Sequence, residues 1–201
     1  MIRIGIIGEN YQNDSCAFKA FMTPQYKSLI EFVPILSSLS GGVPPIEKVV
    51  RMMPVEIRKR QLNAVLCIFD LDREAKRVER NKWFSNFQKN VAVKSIFFLA
   101  VMELEALILA DIEKFNEIYA AKGQYSGNPK FQDDPKKELR TRTDTKEKAK
   151  RKYDENHAVE IFEQLRFDIV RKNHKGEDSF ADFIDEFEEQ FIAKDKRLKK
   201  I

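Results

Sequence analysis

A chain of 201 residues, 43% hydrophobic and 34% charged, has the material for one buried core under a well-solvated surface. Its formal net charge of +4 permits a polyanionic partner without requiring one. No run approaches the roughly 20 apolar residues of a membrane span, and its two cysteines, Cys16 and Cys67, lack metal-ligand spacing, which excludes a helical membrane protein and a zinc module.

The opening "IRIGIIG" is β-branched and apolar almost throughout, and reads as a buried strand ending at Gly8-Glu9. "MIRIGIIGEN" meets polar residues too soon for a signal peptide. With both thiols expected to be free and buried in a reducing compartment, the expectation is a cytoplasmic protein. "NYQNDSCAFKAFM" reads as a loop feeding a short helix, with Asn13 or Asp14 as the N-cap. "KSLIEFVPIL" is a second strand candidate, closed by Pro34 or by "SSLSGG". Pro44-Pro45 open a helix through about Lys59, since proline is tolerated in a first turn. "AVLCIFD" is the next buried strand, and residues 73–89 follow a charged helical pattern. "VAVKSIFFLAV" is another strand, and "MELEALILADIEKFNEIYAAK" reads as one helix ending before Gly123. Strands alternating with helices imply a parallel α/β sheet with crossover connections.

Composition changes after Gly123, so the chain divides into an α/β core over residues 1–122 and a basic loop plus helical segment, packed on that core, over residues 123–201. "PKKELRTRTDTKEKAKRK" carries nine Lys or Arg against three acids. Lys136, Lys137, Arg140 and Arg142, which follow the "DDP" turn, are its candidate phosphate contacts; the other reading is a solvated connector. The pattern turns helical again in "HAVEIFEQLRFDIV" and "SFADFIDEFEEQFIAK", where Phe180, Phe183, Ile184, Phe187 and Phe191 form one apolar face suited to core packing. "KDKRLKK" reads as a frayed tail. His157 and His174 read as surface or capping residues, and "NHKG" as a turn. No P-loop or G-x-G-x-x-G is present, so an ATPase, if one takes part, is a separate chain.

Acids end the strands. In a parallel α/β sheet, ligands bind beyond the carboxyl ends of the strands. Glu9 follows the first strand, Asp70 and Asp72 follow the central one, and Glu103 and Glu105 follow "FFLAV". Asp70 and Asp72 share a side if the strand runs through both, although Asp72 also suits a helix cap. Gathered carboxylates favour their neutral forms unless a cation intervenes; Mg²⁺, or Mn²⁺ in its place, is a hard ion that takes such oxygen ligands. Glu103 and Glu105, two apart on a helix, face nearly opposite ways. One of them is expected at the site, and Glu105 is preferred because Glu103 reads as a first-turn charge on the helix dipole.

"FDLDRE" shares its first four letters with the "FDLDGT" motif of haloacid-dehalogenase-like phosphatases, but Arg73-Glu74 replace Gly-Thr and a βα unit precedes it. The order Gly8-Glu9, Asp70-Leu71-Asp72, "MELEALILAD", "DDPKKEL" resembles small toprim-like proteins related to the overcoming-lysogenization-defect (OLD) nucleases and RloB-like proteins. Leu107 stands where that group has tryptophan, and "GENYQND" is not its glycine-rich continuation. The resemblance implies a toprim-like parallel sheet flanked by helices and a Mg²⁺-dependent nuclease or phosphotransfer activity on nucleic acid, with a context in phage defence. It implies Asp70 and Asp72 as metal ligands, and Glu9 as general acid/base or further ligand. A nucleic-acid partner is expected, with a homodimer as one arrangement. The alternative is a nonenzymatic nucleic-acid or partner-binding module with the same fold.

Overall fold

The computed structural model describes residues 1–145 and 149–193. Four strands, β1 (Ile2–Gly8), β2 (Ile30–Pro34), β3 (Ala64–Asp70) and β4 (Lys94–Ala100), form one all-parallel sheet in the order β2-β1-β3-β4. Helix α1 (Ala17–Tyr26) connects β1 to β2, α2 (Ile46–Arg60) connects β2 to β3, and α3 (Arg77–Asn90) connects β3 to β4. The path steps outward from β1 to β2, then returns across β1 to β3 and onward to β4. Right-handed crossovers therefore put α1 on one face and α2 and α3 on the other. The reversal falls between β1 and β3, and leaves a crevice beyond their carboxyl ends.

Side-chain alternation divides β3 between two cores. Ala64, Leu66 and Ile68 face the α1 side, while Val65, Cys67 and Phe69 face α2 and α3. Both faces are covered, which is why "AVLCIFD" is apolar without polar alternation. On the second face Trp83 of α3 meets Phe69 edge-on at 4.6 Å between ring centroids, and its indole N–H donates to Pro44 O at 2.8 Å.

The first face needs more cover than α1 supplies, and the rest of the chain provides it. Helices α4 (Ala106–Ala110), α5 (Ile112–Tyr119), α6 (Pro135–Arg142), α7 (Ala158–Gln164), α8 (Phe167–Asn173) and α9 (Phe180–Phe191) follow β4. Residues from both parts of the chain enter one hydrophobic cluster, in which Phe180, Phe183, Ile184, Phe187 and Phe191 of α9 are all buried. Phe187 stacks on Phe32 of β2, and Phe183 lies 4.8 Å from Phe98 of β4. Ser179 caps α9 by accepting the Asp182 amide at 3.1 Å.

The α/β class, the parallel sheet and the C-terminal helical segment agree with the sequence expectation. Several boundaries differ for physical reasons. The second strand is Ile30–Pro34 because α1 runs on to Tyr26, with Pro24 in its last turn. A π-type turn, Tyr11–Cys16, precedes α1; Asn10, not Asn13 or Asp14, caps it by accepting the amides of Gln12 and Asn13. The helix expected through residue 122 begins at Ala106 and breaks at Asp111. The buried Asp111 carboxylate accepts the Arg166 amide at 2.8 Å and pairs with the Arg166 guanidinium, so that residue is turned to φ −120° and ψ 53°.

The expected helix at residues 157–170 is divided between α7 and α8 around Leu165-Arg166. Cys67 is buried, whereas Cys16 is partly exposed, against expectation; both are free. His174 is buried, not on the surface, and its Nδ1 accepts the Phe180 amide at 2.9 Å as α9 begins. The expected tail at residues 194–200, and residues 146–148 of the basic segment, lie outside the described residues. Among the described residues no helix is long and apolar enough to cross a membrane.

Phe187 is fully buried among Tyr26, Phe32 and Phe183. Phe187→Ala is expected to lower unfolding stability by about 3–5 kcal/mol in urea titration. Val78→Ala, at a side chain 79% exposed, is expected to stay within about 0.5 kcal/mol of the parent.

Candidate functional site

The crevice beyond β1 and β3 is built on a close approach of backbones. A Cβ at Gly8 would lie 2.6 Å from Asp14 Cβ and 3.0 Å from Ser15 Oγ. Glycine therefore lets the Tyr11–Cys16 turn fold down over the strand end, and brings Asp14 to the acids. The Asp14 carboxylate accepts the Asn10 amide at 2.6 Å.

Strand β3 does not continue through both aspartates. It ends at Asp70, and Asp72 has φ 56°, in the left-handed region. The two carboxylates diverge as a result, which corrects the expectation drawn from strand alternation. Asp70 Oδ1 accepts the Leu104 amide at 2.8 Å. Asp72 Oδ2 instead pairs with Lys76 Nζ at 2.5 Å and Arg80 Nη2 at 3.4 Å.

Glu9 sits between them. Its Oε1 accepts the Asp70 amide at 3.1 Å and lies 3.5 Å from Arg80 Nη2. Arg80 is only 5% exposed, and its Nε donates to Asp70 O at 3.2 Å. One guanidinium thus ties Glu9, Asp72 and the end of β3 together. Arg80 was not among the candidates, yet a signal for it exists: it shares the helical face of Trp83 and Phe87, which are the other buried residues of α3.

A second group gathers around Lys136, at the start of α6. Its Nζ lies 3.4 Å from Glu103 Oε1, 3.7 Å from Glu105 Oε1 and 4.0 Å from Glu155 Oε2. Glu103 Oε2 also accepts the Lys136 amide at 3.2 Å, and Tyr153 Oη donates to Glu105 Oε1 at 3.4 Å. Both Glu103 and Glu105 therefore reach the cluster. They do so because they lie in the turn before α4, not on a helix with opposed faces. Glu103 joins Glu105 where one of the two is expected, and Asp14, Glu155 and Tyr153 are members that the sequence pattern does not single out. Asp14 was read only as a cap, and the last two are brought in by the fold from more than 50 residues beyond β4's start.

The electrostatics follow from crowding and burial. Withdrawal from water, then Glu105, Asp14 and Glu9, push Asp70 well above the usual carboxylate range, with Lys136 opposing. Burial raises Glu105 to about 7 against the pull of Lys136, with Glu103 and Asp14 adding to the rise. Burial likewise raises Asp14 to about 6, although the Asn10 amide and Lys136 oppose it. Glu9 is raised by burial, with Arg80 opposing. Desolvation opposes the charge on Lys136, but Glu105, Asp70 and Glu103 together hold its ammonium protonated more firmly than usual.

For a divalent ion, the donor set is all carboxylate oxygen and is short of positive charge, which fits a hard cation such as Mg²⁺ or Mn²⁺. As the side chains stand, no three Asp, Glu, His or Cys among the described residues form a ready cage. Arg80 and Lys136 supply the positive charge.

The other basic candidates divide. Arg140 pairs with Glu155 at 2.5 Å, and Arg142 pairs with Glu138 at 2.8 Å and donates to Gln124 O at 3.1 Å. Lys137 is exposed at the α6 surface. His157 Nδ1 lies 2.9 Å from Tyr119 Oη.

A testable pH dependence follows from Glu105. Between its usual 4.5 and about 7 the folded protein holds a proton that the unfolded chain has released. Stability therefore falls as pH rises through that window. Thermal unfolding between pH 5 and pH 8 without divalent ions should show this fall. Glu105→Gln, which keeps the neutral shape, should make the fall shallower, with Asp70 and Asp14 supplying what remains; an equally steep fall in that variant would count against the assignment.

The chain matches no family model, no curated protein and no solved structure, so the side chains at this strand-end crevice carry the functional reading.

Proposed function

We propose that the chain is a Mg²⁺- or Mn²⁺-dependent nuclease, or a related phosphotransfer enzyme acting on nucleic acid, as its toprim-like pattern implies. The observation that carries the reading is the crowding of Asp70, Glu105 and Asp14 at the switch of strand order, where burial and mutual repulsion raise all three carboxyl groups above the usual carboxylate range. Such crowding is costly for a fold and useful to a cation site.

Asp70, Asp72 and Glu9 would hold the ion, with Glu105 beside Asp70. A divalent ion bound there neutralises charge building on phosphate oxygens and lowers the pKa of its water. Glu9, half-buried and anchored on the Asp70 amide, is suited to taking or giving a proton at its carboxylate. Lys136 and Arg80 screen the acids from one another and fix their positions. The same resemblance extends the proposal to phage defence, with a separate ATPase chain as partner.

One observation favours the second reading, a nonenzymatic binding module. Arg80 and Lys76 already neutralise Glu9 and Asp72 from within.

Calorimetric titration with Mn²⁺ separates the two. The enzyme reading expects binding that weakens at least about ten-fold, roughly 1.4 kcal/mol, in Asp70→Asn and Asp72→Asn. It also expects plasmid nicking with Mn²⁺ that is lost in Glu9→Gln. Salt-dependent DNA binding that ignores these substitutions, with no Mn²⁺ uptake, would establish the module instead.

A further inference from the structure

Helix α4 begins at the acids and ends at a groove on the molecular surface. Two adjoining hollows, of about 360 and about 310 Å³, share Ala110, Ile112, Tyr125, Lys172 and Asn173 in their walls. Asn173 Nδ2 donates to Ala110 O at 2.8 Å, which seats α8 against the end of α4. Along the helix axis, Glu105 and Ala110 are about 7.5 Å apart at 1.5 Å per residue.

The chemistry of the groove is cationic and aromatic. The larger hollow is lined by Lys172 and Lys175 and by no Asp or Glu. The smaller includes Asp111 and Glu113, but both are paired with Arg166. Lys172 and Lys175 are exposed and form no ion pair among the described residues, unlike Lys136, Arg140 and Arg142.

Tyr125 provides the aromatic wall, and it is held in place. Its Oη donates to Gln132 Oε1 at 3.0 Å, and the Arg142 guanidinium lies 5.9 Å from its ring centroid. A Cβ at Gly127 would come within 3.0 Å of Tyr125 Oη and 3.2 Å of Cζ, so glycine lets the loop close on the ring. Two residues beyond Pro129, which also lines the groove, Phe131 is 70% exposed.

A fixed aromatic ring, unpaired lysines and an apolar floor of Leu109 and Ile112 match the chemistry of a base joined to a phosphate. We propose that this groove binds single-stranded nucleic acid, with Tyr125 stacking on a base and Lys172 and Lys175 contacting the backbone phosphates. The proposal rests on the nucleic-acid reading of the acidic crevice. It moves the grip on the strand from the basic α6 to the α4–α8 groove, which is longer than one hollow.

The test is fluorescence anisotropy of a labelled twelve-nucleotide oligothymidine with the full chain, in EDTA, across a salt series. Lys172→Gln with Lys175→Gln should weaken binding roughly ten-fold or more, and lower the slope of log affinity against log salt by about 1.4, at about 0.7 per phosphate on a single strand. Tyr125→Leu, which keeps apolar bulk, should weaken binding by roughly ten-fold and leave the salt slope unchanged. Thermal unfolding confirms that each variant is folded; if Tyr125→Leu is not, the lysine pair decides.

Parent-like affinity and slope in the lysine variant would overturn the groove while leaving the nuclease reading intact, as would a dominant loss in Lys137→Gln instead. Absence of oligonucleotide binding by the parent chain also overturns the groove, and the nuclease reading is then decided independently by Mn²⁺ calorimetry. Lys172-dependent binding of AMP that oligothymidine does not displace would assign the groove to a free nucleotide and overturn the strand assignment.

Discussion

Arg80 is the joint on which the strand-end crevice depends. Its guanidinium is almost wholly out of water, and it meets the carboxylates of Glu9, Asp72 and Glu79 and the main-chain carbonyl that ends β3. Burying an arginine is costly unless it is paired, and its partly buried neighbours Glu9 and Asp72 would otherwise repel each other. The geometry resolves both problems at one point. It also links α3, which carries Trp83 and Phe87 into one core, to the end of the sheet where the chain order reverses. A rigid scaffold therefore stands directly behind the acids.

Lys136 does the corresponding work on the other side of Asp70, and it arrives from a different part of the chain. The result is a layered arrangement. Glu9 and Asp72 are satisfied by Arg80, whereas Asp70, Glu105 and Asp14 share one ammonium among several acids. The first group is close to neutral balance and the second is not. Positive charge is scarcest around the second group, of which Asp70 is the member assigned to the proposed ion.

Much of the architecture was legible because it follows from local pattern. Continuous apolar runs such as "IRIGIIG" and "AVLCIFD" read as strands covered on both faces, and the phenylalanine stripe of α9 reads as a core face, as the structure has them. The acids at Glu9 and Asp70 were legible for the same reason, since they end those strands. What was not legible depends on partners far away. Asp111 breaks a helix because Arg166, 55 residues on, supplies its amide and guanidinium. Glu103 and Glu105 both reach the cluster because the turn before α4 is fixed by Asp70 accepting the Leu104 amide. Lys136 read as a phosphate contact in a basic stretch, and only tertiary folding reveals the acids around it.

The dependence of the first sheet face on α9 has a consequence for how the protein is made. A ribosome delivers all four strands by Ala100, but Phe183 and Phe187, which close over Phe98 and Phe32, emerge more than 80 residues later. For that interval the nascent chain presents Ile4, Ile6, Leu66 and Ile68 beneath an incomplete roof. Domains generally fold as units during synthesis, and exposed apolar surface at this stage invites misassembly. Until α9 leaves the exit tunnel, that sheet face lacks the cover its phenylalanines supply.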